Sequence, residues 1–581
     1  MIALIRNYAA ELDRNGKHTE AIQKQRELVE GVEGLVKQGS ALGDARASAF
    51  KPWAETYRRL ARNLVDEGRP DDALEMTERA KARLLLESIA LRGAADAVAM
   101  TLDERARLSR LRDQLQRADA RLVASDVGAR TIAEIERNRI ARELEAHVKA
   151  LRSRYPRFGR LTDIQPARSE AARAVLPPRT VLVSFVVGEQ DLLLFAMARD
   201  RPLVAIQRVL PRGLRQTVNA YRLALLPEEY RQGHEIWQLG NGSFVAATRR
   251  PETAVVAIND SQVIGNWLAE RLLQPISDIL SAYRHWIISP DNELAHLPFE
   301  ALPWNGGRVI DQKQVSTTQS VSIYVLGRQS TSGAAAPTKL SAASKWLGLG
   351  APDYTELNRG LHAEATSAPR LSGLRSVRRQ ATQRSEFAPL PNAREELQLV
   401  AKSFQRPMLI VGAAATEGRL RQLDASGELA RFQILHLAAH GIVNPQQPAL
   451  SAIVLDADGT SGTDGDGFVT AAEWIGLTLN SELIVLSACE TGVGPTVSGE
   501  GVLGLPYALF VAGNRNAILT LWPVADHATS LFMRQYFIRV ANGNSASASL
   551  SATKRDFAQG RFGTRYRDPF YWAPFVFVGP D

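Results

Sequence analysis

The sequence contains a single cysteine, Cys489, among 581 residues. One thiol excludes an internal disulfide framework and a cysteine-cluster metal site, so this residue is either a bystander in the core or a reactive group. The sequence also lacks any run of 18 or more apolar residues, and Arg6 and Asn7 interrupt its first segment, which argues against a membrane span and a secretory signal. We therefore expect a cytoplasmic protein with no membrane partner.

A concentrated basic surface is also absent. The formal net charge is +8, but Lys and Arg are spread among Glu and Asp, and no compact basic cluster is interleaved with aromatic residues. Direct nucleic-acid binding is therefore not predicted, because such binding favours positive charge gathered on one face. The composition, with 45% hydrophobic and 23% charged residues, is typical of soluble globular proteins. The length predicts roughly two to four domains.

The first 95 residues favour helices, and two stretches match each other at a constant offset of 52 residues. The matching positions are Ala9, Leu12, Gly16 and Ala21 in the first stretch and Ala61, Leu64, Gly68 and Ala73 in the second. Small residues let two antiparallel helices approach, and each glycine permits the turn between them. Residues 1–95 are thus similar to tetratricopeptide repeats, with an insertion at 33–52 that lengthens a helix or loop. A generic helical bundle is the alternative, and a start on a repeat boundary is compatible with truncation.

Residues 96–156 predict a charged helical hairpin that connects the repeats to the rest of the chain. Charged residues dominate two helical stretches from Thr101 to Arg154, which are separated by a break at 125–128. Such a charge run indicates a solvated face with ion pairs at i to i+4 spacing, and not a ligand site.

Past Pro156 the pattern changes to short, β-rich apolar runs that alternate with helical segments. Runs at 181–187 and 191–197, joined by a turn at 188–190, predict a strand pair. Further runs begin at 285, 345, 408, 432, 451, 482, 516 and 573. Strands alternating with crossover helices predict an α/β region with a mainly parallel sheet covered by helices on both faces. We divide this region into residues 157–265 and 266–581.

Two stretches, 329–345 and 357–391, are rich in Ser, Ala, Gly, Pro and Arg. This composition predicts exposed linkers. Exposed, weakly packed segments are preferred sites of proteolytic nicking, so the Arg-rich stretch 357–391 is a candidate site for self-processing.

Two of the apolar runs end in side chains that suit nucleophilic catalysis. The segment FQILHLAAHG at 432 ends with His440 and Gly441, and ELIVLSACETG at 482 contains Cys489. The carboxyl ends of parallel strands meet at one edge of an open α/β sheet, so we expect the imidazole and the thiol to lie close together. An imidazole beside a thiol favours the thiolate and can later protonate a leaving amine.

The glycine after His440 adds a second feature. Gly441 has no Cβ, so a substrate carbonyl could approach its backbone. The N–H groups of Gly441 and Cys489 are therefore candidates for an oxyanion hole, where each donor contributes roughly 3 kcal/mol. His436 is an alternative base, because it shares a face with His440 if one strand carries both. We expect His436 to be a hydrogen-bonded core residue.

Seven blocks in order resemble the CHAT domain family, caspase-like peptidases commonly found behind tetratricopeptide repeats. The blocks are PDNELAHLPFEAL at 290, ILHLAAHG at 434, GFVTAAEW at 467, VLSACETG at 485, GEGVLGLPYALFVAG at 499, LTLWPV at 519 and DPFYWAPFVFVG at 568. His440 precedes Cys489 by 49 residues, close to the caspase spacing. Ser487 stands where caspases have Gln.

The resemblance implies a caspase-like fold and a dyad of Cys489 and His440 that hydrolyses peptide bonds of a protein substrate through a thioester. It also implies control by the helical repeats or by a protein partner or activator that they bind. It implies no cofactor. The resemblance also assigns Trp522, Asp526 and Glu490 to a substrate pocket, and no third catalytic residue is identified. A catalytically silent scaffold for protein–protein interaction is the alternative.

The segment GTDGDGFVTAAE at 462 spaces some carboxylates as a calcium-binding loop does. Gly462 occupies the position of the first ligand and offers no carboxylate. We expect instead a turn followed by a helix, with Thr470 as the N-cap and Glu473 as its capping-box partner. No metal site is predicted.

Overall fold

The computed structural model describes residues 2–38, 44–81, 83–98, 100–124, 127–155, 158, 162, 166–329, 339–365, 386–444, 448–458, 465–487, 496–497, 501–502, 504–524 and 526–581. A helical N-terminal region precedes a mixed sheet with helices. Within these ranges, every helix is too short or too polar to cross a membrane.

The N-terminal region forms two helical hairpins, α1 (Ile2–Arg14) with α2 (His18–Gln38) and α3 (Asp44–Asp66) with α4 (Pro70–Ala80). Gly16 and Gly68 follow the first helix of each hairpin with φ values of 72° and 69°, which glycine adopts without steric cost. The apolar positions matched in the sequence are buried, so the two predicted hairpins are confirmed. Helices α2 and α3 are 21 and 23 residues long and accommodate the insertion by helix extension.

The predicted charged hairpin is also confirmed. It consists of α6 (Leu102–Ala124) and α7 (Val127–Arg154), which follow α5 (Arg83–Ala97). Leu108 of α6 and Leu144 of α7 belong to one buried cluster between the two helices.

The other α-helices of the described ranges are α8 (Ser169–Val175), α9 (Leu214–Ala224), α10 (Ser261–Leu272), α11 (Ser277–Ala282), α12 (Val309–Gln312), α13 (Val321–Gln329), α14 (Thr355–Ala365), α15 (Pro391–Ala401), α16 (Glu417–Ala425), α17 (Ala471–Gly476), α18 (Leu505–Val511), α19 (Asp526–Ala541) and α20 (Ala546–Ala558). The strands are β1 (Thr180–Val187), β2 (Asp191–Ala198), β3 (Arg201–Val209), β4 (Glu235–Leu239), β5 (Phe244–Ala247), β6 (Ala254–Ala257), β7 (His285–Ser289), β8 (Pro303–Trp304), β9 (Gly307–Arg308), β10 (Gln314–Thr317), β11 (Trp346–Gly350), β12 (Pro407–Val411), β13 (Ile434–Ala438), β14 (His440–Ile442), β15 (Ala452–Val454), β16 (Phe468–Thr470), β17 (Leu483–Leu486), β18 (Thr496–Val497), β19 (Gly501–Val502), β20 (Ala517–Thr520) and β21 (Phe575–Val578).

Eleven strands form one sheet in the order β12-β11-β13-β17-β20-β21-β10-β7-β1-β2-β3. The β1–β2, β2–β3 and β20–β21 pairs are antiparallel, and the other neighbouring pairs are parallel. The predicted strand pair and the mainly parallel sheet are therefore confirmed. Successive strand residues enter different cores, as Leu194 and Phe195 do, so both faces are covered. The sheet takes strands from either side of residue 265.

Part of the stretch 357–391, which composition predicted as an exposed linker, is folded. Leu357 and Leu361, four residues apart on α14, are buried in one cluster with Phe387. The linker prediction is therefore wrong at both ends of the stretch, because an apolar pair at helical spacing outweighs the polar composition around it. Residues 366–385 lie outside the described residues.

A buried lysine joins the repeat region to the sheet. Lys81 follows α4, and its Nζ donates to Ser184 Oγ at 3.2 Å and to the carbonyls of Phe185 and Ser289 at 3.0 Å each. Burial lowers the pKa of Lys81 to about 8, although nearby carboxylates, Asp291 foremost, oppose the shift. A buried ammonium is tolerated only when its protons are accepted, so these three oxygens fix the repeats against the ends of β1 and β7.

Candidate active site

The strands that precede His440 and Cys489 are neighbours in the sheet. β13 and β17 are parallel and in register, with Leu437 opposite Leu486, and the N–H of Ser487 donates to Leu437 O at 2.8 Å. His440 and Cys489 each follow three residues after this pair in the sequence. The predicted adjacency of the two strands is thus confirmed. Cys489 itself lies outside the described residues.

His440 begins a new strand after β13. The strand is interrupted at Ala439. The chain continues as β14, which pairs with β15 in a small sheet of β14, β15 and β16. The backbone N–H of His440 donates to the Tyr354 hydroxyl at 3.1 Å, and that hydroxyl donates to Val454 O at 3.3 Å. The imidazole lies 5.3 Å from the Tyr354 ring and 5.6 Å from the Phe387 ring, centroid to centroid. Two aromatic rings therefore restrict its orientation.

A backbone carbonyl determines which nitrogen of the His440 ring carries the hydrogen. Nε2 lies 2.9 Å from the carbonyl oxygen of Ala388, and a carbonyl oxygen only accepts hydrogen bonds. Nε2 therefore carries the hydrogen, and in the neutral imidazole Nδ1 is the basic nitrogen. The sequence pattern does not distinguish the two ring nitrogens.

The segment that supplies this carbonyl is held by α14. The Asn358 side chain donates from Nδ2 to Phe387 O at 3.0 Å and accepts the Phe387 N–H on Oδ1 at 3.0 Å. Phe387 is 3% exposed. This pair of bonds places Ala388, the next residue, against the imidazole. The sequence does not single out Asn358 or Ala388, because a contact through a backbone carbonyl leaves no motif.

His436, the alternative base, is a core residue as predicted. Its ring is fully buried, and Nε2 lies 2.7 Å from Glu396 Oε1 of α15. The ring also packs against Trp346 and Phe537. The assumption that one strand carries His436 and His440 is wrong, because β13 ends at Ala438.

The structure describes three of the four other residues that were assigned from the sequence. Trp522 is 2% exposed, and its indole N–H donates to Phe570 O at 3.1 Å, so its ring packs in the core. Gly441 lies opposite Ile453 in the small sheet. Asp526 is the first residue of α19, and Glu490 lies outside the described residues.

The capping box predicted at Thr470 is confirmed. The Thr470 hydroxyl accepts the Glu473 N–H at 3.3 Å, and Glu473 Oε2 accepts the Thr470 N–H at 2.7 Å. Burial, followed by the charge of Glu473, raises the pKa of nearby Glu417 to about 7. The described residues contain no group of three side chains able to hold a metal. Gly462 and the start of the calcium-like segment lie outside those residues.

Comparisons with known proteins agree with the motif blocks. The model of the CHAT domain family matches residues 262–580. Tetratricopeptide repeat protein 28 of Homo sapiens is 24% identical over 269 residues, which are 40% of this chain and 10% of the human protein. The Mus musculus protein of the same name is 25% identical over 229 residues, which are 34% of this chain and 9% of the mouse protein. The chain thus spans about a tenth of the length of these relatives.

Two solved structures share a distant likeness with the chain. The Saccharomyces cerevisiae separase–securin complex aligns with a TM-score of 0.41 and 10% identity, and the alignment covers 97% of this chain and 37% of that chain. The Arg-specific cysteine proteinase gingipain R aligns with a TM-score of 0.30 and 8% identity, covering 54% of this chain and 67% of that chain.

Proposed function

The chain belongs to the CHAT domain family, and from this premise we propose that it is a regulated cysteine endopeptidase with a Cys489/His440 dyad. The observation that carries the proposal is the position of the His440 imidazole, which the Ala388 carbonyl holds. His440 follows β13, and the neighbouring strand β17 leads to Cys489. With the hydrogen on Nε2 donated to Ala388 O, the basic lone pair of the neutral imidazole is on Nδ1, and we assign Nδ1 as the base toward the thiol.

The chemistry follows from this arrangement. Nδ1 of His440 accepts the Cys489 proton, and the thiolate attacks the substrate carbonyl. The N–H groups of Gly441 and Cys489 stabilise the oxyanion. The protonated imidazole then donates its Nδ1 proton to the leaving amine, which leaves a thioester on Cys489. Water, deprotonated by Nδ1, hydrolyses the thioester and restores the thiol. The proposal assigns no cofactor.

The helical repeats provide the proposed regulation. Lys81 bonds the repeats to β1 and β7, and we assign to this contact the coupling between a protein bound to the repeats and the sheet. We assign a protein substrate or activator to the repeats. Trp522 is a packing residue in this scheme, and Asp526 and Glu490 remain our candidates for the substrate pocket.

Labelling with a peptide that carries a thiol-reactive group tests the proposal. We expect the wild type to be labelled, Cys489→Ala to be unlabelled, and His440→Ala to be labelled at least 10-fold more slowly, because the base generates the thiolate. Iodoacetamide serves as the control for simple thiol exposure. A wild type that reacts with iodoacetamide at the same rate as His440→Ala, and not with the peptide, would support a silent scaffold instead.

Asn358 is a positioning residue in this proposal. Asn358→Ala removes both bonds to Phe387 and loosens the carbonyl of Ala388, so we expect kcat to fall roughly 10- to 100-fold with KM nearly unchanged. Steady-state kinetics on a peptide substrate measure the two constants separately. Arg359→Ala is the matched control, since its ion pair with Glu356 is exposed on the same helix. An equal loss in both variants, or a change in KM alone, would contradict the assigned role.

A further inference from the structure

The outer strand of the sheet presents unpaired backbone groups. β3 is the last strand in the sheet order, and its pairing with β2 fixes which groups point outward. Leu210 lies beyond β3 opposite Gln190, and its N–H donates to Gln190 O at 2.7 Å. Hydrogen-bonded pairs alternate in an antiparallel ladder, so Arg208 also bonds β2, whereas the N–H and C=O of Gln207 and Val209 point away from it. Among the described residues, no backbone group pairs with them.

A cavity adjoins this end of β3. Its volume is 1050 Å³, and Leu192, Trp267 and Pro275 form apolar parts of its lining. Gln207 also lines it, and the Gln207 Oε1 atom is buried without a hydrogen-bond partner in the described part of the chain. Val209, at the end of the strand, is 83% exposed. The edge and the cavity together resemble a site for an added strand, because the edge supplies main-chain bonds and the cavity receives side chains.

The charge around the cavity selects the partner. Arg208, Arg212 and Arg271 line it together with a single acid, Glu270. The Arg271 guanidinium stacks over the Trp267 ring at 4.1 Å, which leaves an apolar surface under a positive rim. Such a surface attracts carboxylates. If two copies of the chain paired their β3 edges in the register that bonds Gln207 of one to Val209 of the other, the two Arg208 side chains would lie opposite each other, and like charges directly opposite on paired strands are destabilising.

We propose that the β3 edge and its cavity bind an extended, acidic segment of a partner protein by strand addition. The segment forms main-chain bonds with Gln207 and Val209, and the side chains on one of its two faces enter the cavity beside Trp267, where carboxylates meet the arginine side chains. This binding site is separate from the proposed dyad and does not depend on catalysis.

The experiment measures fluorescence anisotropy with the full chain and two labelled ten-residue peptides, one of alternating Val and Glu and one of alternating Val and Lys. We expect the Glu peptide to bind at least 10-fold more tightly. Val209→Pro removes an outward N–H without breaking a bond to β2 and is expected to weaken binding at least 10-fold. Val209→Thr keeps the N–H and is the matched control. The double variant Arg208→Glu, Arg212→Glu is expected to prefer the Lys peptide.

Several results would overturn the proposal. These are equal binding of the two peptides by the wild type, binding unaffected by Val209→Pro, or self-association of the wild type that Val209→Pro abolishes. If Val209→Pro loses its circular-dichroism signal, the charge reversal decides, because Arg208 and Arg212 are exposed. Cys489→Ala is expected to bind the Glu peptide as the wild type does, so failure of the peptidase proposal leaves this test intact.

Discussion

His440→Ala is expected to reduce peptide cleavage about 1,000-fold or more, because the substitution removes the group that takes the proton from Cys489 and returns it to the leaving amine. Cys489→Ala should cause a loss of at least the same order. The effects of substituting residues that act as one catalytic unit are not additive. The double variant should therefore be about as active as the less active of the two single variants. The measurement is kcat/KM on a peptide library, with any required activator present.

The control for this result is Glu417→Gln, a substitution in the small-sheet region that keeps the side-chain volume and acts on no step of the proposed chemistry. It should retain most of the activity. Retention of more than a tenth of the wild-type rate by His440→Ala would contradict the dyad. Further loss in the double variant beyond the weaker single would indicate that the two residues act independently.

Gly350→Ala is expected to destabilise the protein by about 3 kcal/mol or more. Gly350 is opposite Ala438 in the β11–β13 register, and a Cβ at Gly350 would overlap the carbonyl group of Ala438. The same carbonyl accepts the Ala351 N–H at 2.6 Å. Relief of the overlap requires β11 to move away from β13 at Ala438. Because Ala438 is two residues before His440, catalytic activity should fall together with stability.

Gly360→Ala is the matched control for this prediction. Gly360 lies on the exposed side of α14, and a Cβ there meets no atom within 4 Å. Alanine in an exposed helix position is expected to stabilise by up to about 1 kcal/mol. Denaturant unfolding of both variants gives the comparison. A Gly350→Ala protein as stable as Gly360→Ala would show that β11 and β13 are not held at the described spacing.

The sequence predicts features that depend on local pattern. The runs that became β13 and β17 could be recognised as parallel strands because buried strands alternate with helices, and their ends located His440. Gly16 and Gly68 indicate the two turns because glycine, unlike other residues, adopts a positive φ at low steric cost.

Features that depend on long-range contact were not predicted. The Ala388 carbonyl reaches His440, and the Asn358 amide reaches Phe387, only after α14 folds against β16. Composition alone predicts a linker in that region. The sequence does not distinguish Lys81 from other lysines, since its three oxygen partners are distant in the chain. The placement of β21 between β20 and β10, antiparallel to β20 and parallel to β10, also reflects tertiary pairing, which periodicity does not encode.

The continuity of the large sheet has a practical consequence for dissecting the protein. A recombinant fragment cut at the limits of the family match would keep β7 but omit β1, β2 and β3, which extend the sheet beyond it. β7 would then be an edge strand with unpaired backbone groups and an exposed apolar face. Such a surface promotes aggregation. Expression of the CHAT region on its own therefore has to begin upstream of residue 180.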